Sequence, residues 1–188
     1  MNGGRVNEWG PIRQNGYVVR DLDAALHHWT TVMGVGPFFR TPRQPLNGFR
    51  YRGELSPAAI AVALAQSGGN QIELIQPLDE HPSAFRDFAA AGREGLQHVA
   101  FWTDDFDAAL HAATDRGLPV LQEGCSGSGA PDERFVYFAA EHHPGTMIEL
   151  SETCGAKGDL FRAVAAAAQN WDGSDPVRDM RTAIGVRS

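Results

Sequence analysis

Four polar residues occupy matched positions in two similar stretches of the chain: Gln14, Glu73, His98 and Glu149. Gln14 and His98 each precede by seven residues an aspartate that begins a helix-like pattern, and both glutamates lie in an Ile-Glu-Leu motif. If the two stretches pair with each other, all four side chains converge at one point. Two carboxylates held there repel each other unless a cation neutralises them. The pattern therefore indicates a divalent metal site.

Each of these residues taken alone has a simpler interpretation. A glutamate on a strand commonly lies on a solvated sheet face, and a single histidine is more often a core or surface residue than a ligand. The matched positions favour a shared site, while the residues alone leave both interpretations open.

The matched positions arise from an internal repeat. At an offset of 84 residues, RDLDAALHHW at 20–29 aligns with DDFDAALHAA at 104–113. Further along each half, QIELIQ at 71–76 corresponds to MIELSE at 147–152. Two separate matches in the same order indicate a duplicated unit.

The pattern of each half predicts β-α-β-β-β. The β-rich runs at 12–19 and 97–103 are each followed by an aspartate, Asp21 or Asp105, in the position of a helix N-cap. The later strands are predicted at 48–53, 58–66 and 70–76, and then at 119–122, 134–140 and 145–151, with a short helix at 83–91. Strand alternation places Glu73 and Glu149 on the sheet face away from the helices.

Composition excludes several classes of protein. The chain has 188 residues, of which 43% are hydrophobic and 21% charged, which is an ordinary globular balance. Its net charge of −7 argues against nucleic-acid binding, and no apolar run is long enough to span a membrane. With only two cysteines, we expect a reducing, cytoplasmic location.

Three segments, NQIELIQPLDEHPSAF, GREGLQHVAFWTDDFDAAL and GTMIELSE, resemble the vicinal oxygen chelate superfamily, most closely its methylmalonyl-CoA epimerase-like branch. The resemblance covers about residues 12–153. It implies an α+β fold in which two paired βαβββ modules form an open, cup-shaped sheet with helices outside. We therefore expect one domain at 1–153, with module one at about 12–76, a linker at 77–96 and module two at about 97–153, followed by a helical C-terminal extension at 154–188.

The resemblance also implies a ligand set. In this family the first strand of each module gives a His or Gln ligand and the last strand a Glu or Gln, which correspond here to Gln14, Glu73, His98 and Glu149. Such a set suits Zn²⁺, Ni²⁺, Co²⁺ or Mn²⁺. By analogy with glyoxalase I, Glu149 or Glu73 doubles as the catalytic base.

The expected activity is that of a metal-dependent isomerase, epimerase or lyase that abstracts a proton α to a carbonyl of a small oxygenated substrate or acyl thioester. The position of the epimerase's separate base aligns with Ala61. Two alternatives are a protein that sequesters small molecules and an iron-dependent ring-cleaving dioxygenase. Gln14 stands where a dioxygenase has a histidine, which counts against the latter.

Six residues are candidates for binding the substrate, although ordinary core packing or edge protection explains each of them as well: Trp102, Tyr51, Arg50, Arg52, Phe38 and Phe138. Arg50 and Arg52 are expected to share a strand face and to suit a phosphate or carboxylate. The partners expected are a small-molecule substrate and a second copy of the chain in a homodimer.

Overall fold

The structure is a computed structural model that describes residues 9–127, 129–139 and 146–183. Its first half contains β1 (Gln14–Val18), α1 (Leu22–Thr31), β2 (Phe38–Gln44), β3 (Asn47–Tyr51), β4 (Glu54–Leu55), β5 (Ile60–Ser67) and β6 (Asn70–Pro77). The second half contains α2 (Ala84–Ala90), β7 (Gly95–Thr103), α3 (Phe106–Asp115), β8 (Val120–Cys125), β9 (Arg134–Phe138) and β10 (Met147–Glu152). The C-terminal segment adds α4 (Gly155–Ala168), β11 (Val177–Asp179) and α5 (Met180–Ala183).

The strands form one mixed sheet in the order β11-β2-β5-β6-β1-β7-β10-β9-β8-β3-β4. Within each half the first strand pairs in parallel with the last, as β1 does with β6 and β7 with β10. The halves join where β1 and β7 run antiparallel at the centre of the sheet. The sheet is curved and unclosed, as the predicted α+β fold of two βαβββ modules requires.

Both predicted helix starts are confirmed. The side chain of Asp21 accepts a hydrogen bond from the backbone N–H of Ala24 at 3.0 Å, and Asp105 accepts one from Ala108 at 3.1 Å. Each aspartate thereby satisfies a backbone N–H that has no partner within its helix. The repeated sequence thus encodes the same helix start twice.

The first half contains a strand that its sequence pattern does not predict. The second strand of its module is β2, whereas the predicted strand at 48–53 is a hairpin, β3–β4, that pairs with β8 of the other half. The sequence of β2, FFRTPRQ, contains Pro42 and two charges, which obscure its pattern. The register between β2 and β5 shifts between Thr41 and Gln44, and an irregularity of this kind accommodates a proline within a strand.

Three apolar clusters define the two sides of the sheet. Helix α1 covers the outer side of the first half through Leu22 and Leu26, and α3 covers the second half through Phe106 and Ala113. The third cluster fills the inner, concave side. It includes Phe85 of α2 and Phe161 of α4.

The C-terminal extension is therefore part of the core rather than an appendage. On α4, Phe161 and Val164 are buried against the concave face, while β11 extends the sheet by pairing in parallel with β2. The outside position predicted for the helices holds for α1 and α3, while α2 and α4 lie within the cup. None of the helices in the described part of the chain combines the length and hydropathy of a membrane span.

Packing of α4 has a measurable contribution to stability. Replacing Phe161, which is 7% exposed and stacks on Trp102 with ring centroids 4.7 Å apart, by alanine leaves a cavity. Phe161→Ala is expected to lower the free energy of unfolding by about 3–5 kcal/mol in urea denaturation. Arg162→Ala, on the exposed face of the same helix, is the control and should change it little. Equal stability of the two variants would show that α4 is not part of the core.

Candidate metal centre

The central strands bring three of the four predicted ligands together. The ligand atoms of Glu73, His98 and Glu149 all lie within 4.8 Å of one another. His98 Nε2 is 3.3 Å from Glu73 Oε2 and 3.1 Å from Glu149 Oε2. The register explains this convergence, because Gly16 of β1 pairs with both Glu73 and His98, while Glu149 pairs with Ala100.

Gln14 lines the same cavity as the two glutamates and is 2% exposed. Its Nε2 donates a hydrogen bond to Gln71 Oε1 at 2.6 Å, so its amide oxygen is the atom that a cation would bind. At the repeat offset of 84 residues, Gln14 in the first half corresponds to His98 in the second half.

The orientation of the His98 ring is set by Gln97. The Nε2 of Gln97 donates to the carbonyl of Ala84 at 3.2 Å, which leaves its Oε1 facing His98 Nδ1 at 2.9 Å. An acceptor there requires Nδ1 to carry a hydrogen. In the neutral imidazole, the lone pair is consequently on Nε2 and points at the two carboxylates, as in histidines that bind metals.

A β-bulge makes this contact possible. In the β1–β7 ladder, Gly16 pairs with His98 and Tyr17 with Leu96, so Gln97 is an additional residue without a partner in the register. A bulge breaks the strict alternation of side chains. Two adjacent side chains, those of Gln97 and His98, are thereby buried together and hydrogen-bonded to each other.

Gly16 provides the space in which the His98 ring lies. A Cβ atom at Gly16 would lie 1.8 Å from His98 Cε1 and 2.1 Å from Nε2. These distances are far below any real contact, so the site needs glycine for steric reasons.

The electrostatics of the cluster depend on the two buried carboxylates. Burial raises the pKa of Glu73. Burial acts to raise the pKa of Glu149, but the adjacent imidazolium of His98, together with Lys157 and Tyr137, outweighs it and lowers this pKa. Burial acts to lower the pKa of His98, but the adjacent carboxylates of Glu149 and Glu73 outweigh it and raise this pKa to about 9. Without a metal, a proton on His98 partly neutralises the carboxylates.

The donor set fits a divalent cation. Two carboxylates cancel its charge, while an imidazole and an amide add neutral donors. Glu149 Oε2 is buried and, among the described residues, has no hydrogen-bond partner, although it lies 3.1 Å from His98 Nε2. A bound cation would satisfy this atom, which is otherwise costly to bury. The Tyr137 hydroxyl, 3.3 Å from Nε2, stays protonated because burial raises the pKa of Tyr137 well above its ordinary value.

The cluster lies at one wall of a cavity of about 330 Å³ on the concave side of the sheet. Most of its other lining is apolar and comes from the strands and from α2 and α4. It includes Ile60, Val62, Leu64, Ile75, Phe135 and Phe161. Such a cavity accepts a small molecule with an apolar body and polar groups at the cluster.

Two predicted substrate residues lie behind the sheet. Phe38 packs in the cluster beneath α1, and Phe138 packs in the cluster beneath α3. The residues next to them in the strands, Phe39 and Tyr137, face the concave side instead. Phe38 and Phe138 are thus placed to hold the outer helices, which corrects their expected position in the cavity.

Trp102 and Tyr51 belong to the concave cluster but do not line the described cavity. Trp102 packs against Phe161, with the guanidinium of Arg13 over its ring at 5.0 Å. The Tyr51 hydroxyl donates to Asp87 at 2.5 Å, and burial together with this carboxylate raises the pKa of Tyr51.

The two arginines also lie away from the cavity. Arg50 is exposed and donates to the carbonyl of Gly53 at 2.9 Å. Arg52 lies in the β3–β4 turn with a left-handed φ of 51°, so the two residues do not share the expected strand face. The guanidinium of Arg52 instead contacts the Tyr51 hydroxyl at 3.1 Å.

Comparisons with known proteins agree with this architecture. Residues 13–138 match the model of the Glyoxalase/Bleomycin resistance protein/Dioxygenase superfamily. The chain therefore belongs to that superfamily, and its fold is that of the vicinal oxygen chelate proteins. No curated protein matches the chain in sequence.

Solved structures with a similar fold include two methylmalonyl-CoA epimerases. A single-substitution variant of the enzyme from Streptomyces coelicolor, in complex with 2-nitronate-propionyl-CoA, is 27% identical, with a TM-score of 0.52 over 74% of this chain and 92% of that chain. The enzyme from Mycobacterium tuberculosis is 23% identical, with a TM-score of 0.52 over 74% and 85%. A hypothetical protein from Bacillus halodurans is 17% identical, with a TM-score of 0.57 over 77% and 95%.

Replacing Gly16 should disable the cluster without unfolding the sheet. In Gly16→Ala, the new methyl group must displace the His98 ring, so affinity for zinc is expected to fall by about tenfold or more in calorimetric titration. The matched control is Gly69→Ala, because Gly69 has open space around it and no left-handed backbone. Zinc binding by Gly16→Ala at the parent affinity would contradict a site built on His98.

Zinc binding should also depend on pH. A cation and a proton compete for His98 Nε2, and the pKa of His98 is about 9. Below that pH the proton must leave, so apparent affinity should rise with pH by roughly tenfold per unit between 6.5 and about 9. Titrations in buffers of different protonation enthalpy measure the protons released. A pH-independent affinity with no proton release would show that zinc binds elsewhere.

Proposed function

We propose that the protein is a metal-dependent isomerase, epimerase or lyase that moves a proton α to a carbonyl of a small oxygenated substrate or acyl thioester. The observation that carries this proposal is the cluster of Glu73, His98 and Glu149 at the wall of an apolar cavity. Glu73 and Glu149 repel each other without a cation, and burying two such carboxylates together is costly, which favours a functional role.

Gln14, Glu73, His98 and Glu149 would hold the cation. When bound, a divalent cation supplies Lewis-acid stabilisation of the negative charge that forms on a carbonyl oxygen. The protein itself must supply the base that accepts the α proton.

Glu73 and Glu149 are the candidates for this base. Both line the cavity, and the side chain of Glu73 is the more accessible, at 16% exposed against 6% for Glu149. Glu149 also lies close to the Tyr137 hydroxyl, and Tyr137 packs edge-on against the His98 ring. Geometry therefore favours Glu73 as the base and Glu149 as a fixed ligand.

The epimerase resemblance implied a separate base on β5, but this strand presents no base to the cavity. Ala61 lies on the outer side, and the cavity side of β5 presents Ile60, Val62 and Leu64. This apolar wall favours a second candidate function, sequestration of an apolar ligand. For the same reason, methylmalonyl-CoA serves here as a probe for the reaction and is not assigned as the substrate.

Metal content tests the proposal directly. The purified protein should contain a stoichiometric transition metal, which should be lost in His98→Ala and in Glu149→Ala, because each removes a donor from the cluster. The matched controls are the exposed residues His111 and Glu54, whose alanine variants should keep the metal. A protein that binds no zinc, nickel, cobalt or manganese and still binds apolar ligands would support sequestration instead.

Solvent deuterium exchange tests the reaction class. Incubated with methylmalonyl-CoA or a hydroxyketone in D₂O, the metal-loaded protein should place deuterium at the α-carbon, and Glu73→Gln should lose exchange while retaining metal. Oxygen uptake with an iron-loaded protein and a catechol would instead support ring cleavage. The metal's identity, a homodimer and a cytoplasmic location stay predictions from the sequence.

A further inference from the structure

The chain contains a single lysine. Of its sixteen lysine and arginine residues, fifteen are arginine and the exception is Lys157. Where the described arginines meet carboxylates, they do so at or near the surface, as Arg40 does with Asp23 at 2.6 Å. Lys157, by contrast, is 8% exposed.

Lys157 lies in the first turn of α4 and lines the same cavity as Glu73 and Glu149. It comes from the C-terminal extension, beyond the residues that match the superfamily. The aromatic rings of Phe135 and Phe161 flank its ammonium at 5.8 and 6.0 Å. The residue thus places a cation in a mainly apolar space.

The hydrogen bonding of this ammonium is incomplete among the described residues. Nζ donates to the carbonyl of Arg134 at 3.2 Å, and no described carboxylate forms an ion pair with it. An ammonium has three N–H donors, and a buried charge is costly unless it is paired. Glu133 also lines the cavity, but its Oε2 accepts the backbone N–H of Gly129 at 3.0 Å.

The neighbouring carboxylates indicate what completes this site. Glu73 and Glu149 lie against His98 Nε2, at 3.3 and 3.1 Å, and neither forms an ion pair with Lys157. A carboxylate of a ligand in the cavity is therefore a suitable partner for the remaining N–H donors of Lys157. The position of Lys157 at the beginning of a 14-residue helix adds to the attraction for an anion.

We propose that Lys157 binds a carboxylate of the substrate, so that this cavity takes compact, mainly apolar carboxylic acids. The idea that the same molecule also presents a carbonyl to the metal cluster rests on the proposed function. The contact between Lys157 and the carboxylate does not rest on that function, so it is testable in metal-free protein.

The experiment compares octanoate with octanamide, which share a carbon chain and differ in charge. Metal-free protein should bind octanoate about tenfold or more tightly in calorimetric titration, since a hydrogen bond to a charged partner discriminates by that order. Lys157→Met should bind both compounds alike, at the affinity of the parent for octanamide. Lys157→Arg should recover part of the preference for octanoate.

Two results would overturn the inference. One is equal binding of octanoate and octanamide by the parent protein, and the other is a preference for octanoate that survives in Lys157→Met. Zinc content of Lys157→Met is measured in parallel. If no variant or parent takes up metal, the proposed function fails, while the octanoate preference still decides the role of Lys157.

A measurement on the unmodified chain covers the case in which Lys157→Met does not fold. The single lysine gives one ε-acetylation site, whose labelling by an activated acetate ester is followed by mass spectrometry. Octanoate should slow this acetylation more than octanamide does. Equal protection by the two compounds would again reject the carboxylate contact.

Discussion

The central constraint on this structure is the burial of two carboxylates beside one imidazole. Glu73 and Glu149 come from strands on opposite sides of the β1–β7 pair, and both reach Nε2 of His98. Without a cation or a proton at that nitrogen their charges repel within the low-dielectric core. The strand order, the glycine beneath the ring and the amide behind it all serve to hold these three groups at one point.

The two halves share the same backbone arrangement, but they contribute different residues to the metal centre. Gln14 and His98 occupy equivalent positions, but the larger ring of His98 requires Gly16 beneath it, while Gln14 lies opposite Ala100. Only the second half contains the bulge that brings Gln97 against His98. Each half therefore supplies similar donors, but only one supplies an oriented imidazole.

Periodicity and matched spacing were sufficient to predict the repeat and both helix caps. The pairing of the modules and the convergence of Glu73, His98 and Glu149 were predicted with the help of the resemblance to the vicinal oxygen chelate superfamily. The sequence did not reveal Gln97, since a bulge breaks the alternation from which faces are read. On β9 it selected Phe138, although Tyr137 is the residue that faces the concave side. Strand β2 was hidden by Pro42, so no alternation was available to tell which of Phe38 and Phe39 faces the cavity side. Lys157 was missed because no local pattern shows that a helix after the repeat folds back into the cup.

The β3–β4 hairpin affects whether the protein associates with other chains through the edge of its sheet. The hairpin leaves the first half of the chain and pairs with β8, the outermost strand of the second half. An uncovered β8 would present a row of unsatisfied backbone donors and acceptors to any passing strand. Because the hairpin of the first half pairs with β8, it protects the second half from edge-to-edge association. A fragment containing only the second half would lose that protection and should be prone to aggregate.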